Sequence, residues 1–386
     1  MKKNTSHLLK RAAHFKAILT GEGFLVGIVA GIVVLLYRVV LEYAGKGMEW
    51  VLGYARTYPV IAGLWFFVLF AMACIVGKLV KYEPMISGSG IPQVEGEMMG
   101  KLDQVWWKVL PAKFLGGFLS LFSGLSLGRE GPSIQIGAMA GKAVSKALDR
   151  EKTEEKYLLT CGASAGLAAA FHAPLAGVMF SLEEIHKNFS VSVLISVMTA
   201  SITADYISSQ FMGFDSVFQF DIGLEVEPQY YWHIVILGIL LGLLGAFYNK
   251  MTLWVQGLYK KNKSLNETTR LLIPFLLAGV LGLVMPEILG SGHHLIDQAA
   301  SGSMVLPALL FLLAAKFLFS LICFGSGAPG GIFFPLLVLG ALIGGAYSTF
   351  AAEFLGLDAS YISNFVLLAM AGYFTAIVRA PITGII

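Results

Sequence analysis

The same glycine- and proline-bearing signatures occur twice along this chain, in one order and at nearly one spacing. Gly88-Ser89-Gly90 returns as Gly290-Ser291-Gly292 at an offset of 202. Ala173-Pro174-Leu175-Ala176-Gly177 returns as Ala380-Pro381-Ile382-Thr383-Gly384 at an offset of 207. Between them, Gly128 is followed 202 residues later by Gly330, and Lys113 and Lys316, each alone in an apolar run, are 203 apart. A chain built this way folds as two copies of one unit. The expected division is residues 21–214 and 231–386, joined by 215–230, an acidic stretch with no Lys or Arg. At the same offset the second unit would run past Ile386, so it is expected to be incomplete here.

What surrounds the repeats sets the solvent. Hydrophobic residues make up 56% and charged residues 13% of the chain, against about 25% charged in soluble domains. This is the composition of an all-α polytopic membrane protein, since a chain in lipid must satisfy its own backbone. Several apolar runs are too short to cross ~30 Å of hydrocarbon at ~1.5 Å per residue. Short segments broken by Gly and Pro, in matching places of two halves, point to inverted-topology repeats with discontinuous, tilted helices. Residues 1–20 carry Lys2, Lys3, Lys10, Arg11 and Lys16 and read as a cytoplasmic amphipathic segment. The basic linkers 142–156 and 250–270 belong on the same face, giving a multi-pass protein of the cell membrane. The net charge of +3 lies at segment ends and does not call for nucleic acid. No nucleotide-binding motif appears, and Cys74, Cys161 and Cys323 form neither a disulfide framework nor a metal spacing. No cofactor and no enzymatic chemistry are expected.

The charged break Gly128-Arg129-Glu130-Gly131-Pro132 stands between two apolar runs. A break at membrane depth lines a cavity or is buried in protein, and an ionisable residue there is a functional candidate. Pro132 suits the first turn of a helix, whose free N–H groups and positive dipole end attract an anion. Glu130 sits at the mouth of that site, able to take the anion's place when ionised and to leave it when protonated. Ser89 opens another such helix; it reads either as an ordinary N-cap or, given its glycine-rich break, as a hydroxyl aimed at the anion. Gly330-Gly331-Ile332-Phe333-Phe334-Pro335 supplies the same device from the other half, leaving the N–H groups of Ile332 and Phe333 as donors. Neutral donors hold chloride loosely enough for it to leave. Glu183-Glu184 reads on its own as a solvated helix end. Glu95 and Lys113 are expected to pair beneath the anion site. His172 and His293-His294 invite a metal reading but lack a third ligand at helical spacing. Gly162-Ala163-Ser164-Ala165-Gly166 matches a hydrolase nucleophile pattern, yet lies in a small-residue helix face that packing explains better.

Together, Gly88-Ser89-Gly90-Ile91-Pro92, Gly128-Arg129-Glu130-Gly131-Pro132 and Gly331-Ile332-Phe333-Phe334-Pro335 resemble the three anion-site motifs of the CLC chloride channel/transporter family. The resemblance covers nearly the whole chain in order. It implies that Ser89 Oγ and the amides of Ile332 and Phe333 hold a central chloride, and that Glu130 is a gating glutamate. It further implies that Arg129, Gly131 and Gly331 support the outer anion site. The stretch from Ala173 to Glu184 places Glu184 where the family's exchangers carry an inner proton-transfer glutamate and its channels do not. The implied function is H⁺/Cl⁻ exchange by a bacterial-type homodimer in the bilayer, with chloride and protons the only ions handled; the alternative is a passive gated chloride channel on the same fold.

Overall fold

The computed structural model describes the backbone of residues 2–214, 217, 218, 220, 225–262 and 265–386, with side chains from residue 16 onward. In the first half run α1 (Lys2–Thr57), α2 (Pro59–Tyr82), α3 (Ile91–Met98), α4 (Trp106–Phe122), α5 (Glu130–Ala147), α6 (Lys152–Phe171), α7 (Pro174–Phe180) and α8 (Val191–Met212). The second half holds α9 (Tyr231–Lys261), α10 (Glu267–Val284), α11 (His293–Ala300), α12 (Leu306–Gly325), α13 (Phe333–Phe354), α14 (Ile362–Val378) and α15 (Pro381–Ile385). The expected boundary at residue 20 is not a break in the backbone, because α1 runs through it. Eight of the described helices are long and apolar enough to cross a membrane.

The duplication read from the sequence reappears as geometry. The series α2 to α7 recurs as α10 to α15, down to a single 3₁₀ turn, Pro84–Ile86 and Pro286–Ile288, before the glycine-serine loop. Each loop then enters a helix of 8 residues, about 12 Å of rise and far short of the bilayer. The residue before each short helix is a left-handed glycine, Gly90 at φ 93° and Gly292 at φ 80°, a conformation that disfavours any Cβ.

The paired lysines explain how such loops survive away from water. Lys113 Nζ donates to the carbonyls of Ile86 and Gly88 at 2.9 and 2.6 Å. Lys316 Nζ donates to those of Ile288 and Gly290 at 2.9 and 2.8 Å. Both side chains are fully buried. The expected Glu95–Lys113 pair therefore does not form; Glu95 has Lys187 at 3.9 Å instead. The physical reason is that the two loops leave carbonyls without helical partners, and a buried ammonium satisfies them in both halves alike.

At the centre the halves join backbone to backbone, antiparallel. Gly128 N–H donates to Gly331 O at 2.6 Å and Gly331 N–H to Gly128 O at 2.7 Å. The symmetry partner of Gly128 is thus Gly331, not the Gly330 suggested by spacing. A second mirrored pair flanks it, Gly88 N–H to Gly327 O at 3.3 Å and Gly290 N–H to Gly124 O at 2.9 Å. Antiparallel exchange between equivalent residues is what inverted repeats require.

The helices that begin at this junction are the protein's interior. In α13, 78% of the apolar window is buried, against 22% in the lipid-facing α9. Helices α5 and α6 pack almost backbone on backbone: a Cβ on Gly162 would lie 2.1 Å from Gly137 O, and one on Gly166 would lie 2.2 Å from Ser133 O. The small-residue stretch around Ser164 is therefore a helix-packing face inside α6, without the strand–turn–helix of a nucleophile elbow.

Candidate anion and proton site

Three sequence motifs converge on one point. A Cβ on Gly131 would lie 2.9 Å from Ser89 Cβ and 3.1 Å from Gly331 Cα. Only glycine lets the chain starts of α3, α5 and α13 approach this closely, so Ser89, Gly131 and Gly331 are brought together as the sequence implied. Ser89 Oγ accepts the Ile91 N–H at 3.3 Å, but the N-cap position of α3 is held by Gly90, so Ser89 is not the ordinary N-cap that one reading of the sequence offered. Because Oγ acts there as acceptor, its O–H is left to donate elsewhere. Ser89 is buried, at 7% exposure.

Helix α13 starts with Ile332 as its N-cap, so Phe333 and Phe334 carry orphan N–H groups while Pro335 has none. The Glu130 carboxylate lies against the Phe334 main-chain N–H and its own. Its Oε2 sits in the space a Cβ on Gly128 would fill, where Phe334 N is also near. Phe334 was missed in the sequence reading, one residue too far along. The signal was present, since an N-cap at Ile332 leaves two free amides before the proline. Arg129 caps α5, and its Nε stands 3.8 Å from Glu130 Oε1. Glu130 is 1% exposed.

Above Glu130 opens a cavity of about 700 Å³. Leu41, Leu121, Arg129, Glu130 and Phe334 line it, as do Ser291 and, at the start of α11, His293. The second copy of the glycine-serine loop thus faces this vestibule, while the first copy faces the junction below. His293 meets Phe334 edge-on at 5.6 Å between ring centroids. His172 belongs to a different group: its Nε2 lies 2.7 Å from Arg38 Nη1 and its Nδ1 3.3 Å from Asp205 Oδ1. An arginine can only donate, so Nε2 accepts and the Nδ1–H points to the aspartate.

On the other side of the junction the two adjacent glutamates part company. Glu183 accepts from the N–H groups of Ile382 and Thr383 at 3.2 and 3.0 Å and from Thr383 Oγ1 at 2.9 Å, tying α15 to the first half. Glu184, on the π-helical turn Ser181–His186 that follows α7, faces Glu95. Neighbouring side chains on a helix point about 100° apart, so one reaches α15 and the other Glu95. Four residues before Glu184, Phe180 is edge-on to Phe333 at 5.2 Å, and Phe333 is edge-on to Phe374 at 4.9 Å.

The family model for voltage gated chloride channels matches residues 71–386. The chain belongs to the voltage-gated chloride channel family. The H(+)/Cl(-) exchange transporter ClcA of Salmonella agona (strain SL483) is 37% identical over 328 residues, 83% of this chain and 69% of its relative. The ClcA of Vibrio vulnificus (strain YJ016) is 35% identical over 373 residues, 94% of this chain and 79% of that one. Among solved structures, a slow cyanobacterial Cl⁻/H⁺ antiporter superposes with a TM-score of 0.88 at 29% identity, covering 95% of this chain and 87% of its own. As a CLC member with eight candidate spans, the chain is a multi-pass protein of the cell membrane. Its all-helical, twice-repeated architecture is that of the family's antiporters.

Proposed function

We propose that this CLC protein is a secondary active transporter that exchanges chloride for protons, with Glu130 competing with the anion for one place. The observation that carries the reading is the position of the Glu130 carboxylate. It lies against the Phe334 amide at the start of α13, beside the contact of Ser89, Gly131 and Gly331. A carboxylate there uses the same N–H groups and the same dipole end that an anion would. Protonation removes its charge and with it most of its claim on those donors. An anion then enters, held by Ser89 Oγ and by the amides of Ile332 and Phe333, with Arg129 lending positive charge. The exchanger names of the bacterial relatives support the same assignment.

Coupling requires a second proton station, and Glu184 is our assignment for it. Its carboxylate faces Glu95, and it stands four residues beyond Phe180, whose ring meets Phe333 at the start of α13. The cycle uses chloride and protons alone and needs no cofactor. We further infer a homodimer in the bilayer, each subunit with its own pathway; outward apolar residues of α7 and α8 such as Leu175, Ile195 and Ile202 offer the facing surface. The N-terminal basic residues then lie on the cytoplasmic side.

Reconstitution in liposomes tests the assignment. Glu130→Gln is expected to keep chloride flux and lose chloride-driven proton movement. Intact proton pumping by that variant would overturn the reading of Glu130. A wild-type reversal potential that follows chloride alone, blind to a pH gradient, would select a passive channel instead.

A further inference from the structure

One buried hydroxyl beside Glu130 is not among the residues the motifs single out. Tyr37 on α1 is fully buried, and its Oη has no hydrogen-bond partner. Its charged neighbours are Glu130 and Arg129. The Oε2 of Glu130 is likewise buried without a partner, as is Ser120 Oγ on α4. The ring of Tyr37 is held edge-on by Phe114 at 5.0 Å between centroids. Its hydroxyl is pressed against α4 at Gly117, where an added Cβ would stand 2.2 Å from Oη.

Helical spacing places this hydroxyl relative to the gate. Leu41 and Leu121 line the vestibule together with Glu130. Tyr37 precedes Leu41 by four residues and Gly117 precedes Leu121 by four. Both lie one turn from these vestibule residues, about 5.4 Å along their helices. Buried polar atoms without partners are disfavoured, so several in one place mark groups that are paired in another state.

We propose that Tyr37 is the dock for protonated Glu130, a positioning residue whose hydroxyl pairs with the neutral carboxyl group and holds it clear of the anion. The proposal rests on the reading of Glu130 as the gate. A proton from vestibule water adds to the carboxylate, which becomes a neutral acid with one O–H donor and one carbonyl acceptor. A phenol offers the same complement, so the two satisfy each other without any charge. The ionised form can accept the phenol O–H as well, but burying its charge away from the helix-start amides costs more than that one bond returns, so it goes back to the Phe334 amide. The other charged or titratable groups facing Glu130 are Arg129 beside it and Arg38 on α1. Across the vestibule stand Glu49, Arg56, Glu287, His293, His294 and Asp297. All of these are retained in the variants below.

The experiment is a double-mutant cycle in liposomes, following chloride flux against external pH. Losing the dock disfavours the protonated gate, so Tyr37→Phe is expected to move the activation midpoint to lower pH by about 0.5–1 unit, a roughly three- to tenfold change in the protonation equilibrium. In a Glu130→Ala background the same substitution is expected to change nothing. An equal effect in both backgrounds, or none in either, overturns the dock. Should Tyr37→Phe fail to fold, Gly117→Ala displaces the same hydroxyl from α4 and is held to the same two outcomes. Failure of the gate reading is separate, since it shows as proton pumping by Glu130→Gln whatever Tyr37 does.

Discussion

The mirrored lysines allow a comparison that few proteins offer: one local perturbation made twice, once at the anion site and once away from it. Lys113→Met and Lys316→Met each remove an ammonium that two loop carbonyls share, at 2.9 and 2.6 Å in the first case and 2.9 and 2.8 Å in the second. Methionine keeps the stem's volume. Two buried carbonyls left unpaired cost about 1–3 kcal/mol each. Removing the buried ammonium returns its own desolvation cost, so the net loss is smaller than the roughly 2–6 kcal/mol the two carbonyls alone would set, and similar in the two variants. The site consequence differs. Lys113 holds the carbonyl of Gly88, the residue next to Ser89, whereas Lys316 holds Gly290 on the vestibule wall. Thermal unfolding in detergent is expected to show similar losses for both. Calorimetric titration with chloride is expected to show about a tenfold weakening, ~1.4 kcal/mol, for Lys113→Met alone. Equal weakening in both variants, or in neither, would refute the argument that the lysine acts on the anion through the Ser89 loop.

Four further outcomes follow from the same contacts. Gly131→Ala forces a methyl group to within 2.9 Å of Ser89 Cβ, so chloride binding is expected to fall at least tenfold, with an overpacking loss of about 1–3 kcal/mol in unfolding. Glu184→Gln is expected to abolish chloride-driven proton flux while chloride still moves. Glu183→Gln, which weakens only the hold on Ile382 and Thr383, is expected to lower thermal stability and leave the proton-to-chloride ratio unchanged in the same liposome assay. Gly162→Val would place its side chain against Gly137 O, and loss of folded protein on size-exclusion chromatography is expected.

Much of the site was legible because membrane burial makes certain residue choices compulsory. The close approach of Ser89, Gly131 and Gly331 was legible because a chain break at membrane depth needs glycine at each close approach and proline at each helix start. Lys113 was recognised as unusual but given the wrong partner. Its acceptors are main-chain carbonyls, and no side-chain code announces a carbonyl that lacks a helical bond. The residues alone did not separate Glu183 from Glu184, which only the family resemblance singled out; that Glu183 bonds α15 while Glu184 faces Glu95 is set by packing between distant segments. Arg38, His172 and Asp205 are scattered across α1, α6 and α8 and were invisible as a group.

What the amino-acid order determined by itself was the duplication, the membrane as solvent and the residue types at the helix starts, because each is enforced by local backbone chemistry. What only the tertiary structure decided was which copy of each device faces which side. The two loops carry the same Gly-Ser-Gly, yet one meets Gly131 at the junction and the other lines the vestibule. That difference arises because the repeats are inverted and joined antiparallel through Gly128 and Gly331, so equivalent residues face opposite ways across the central pair.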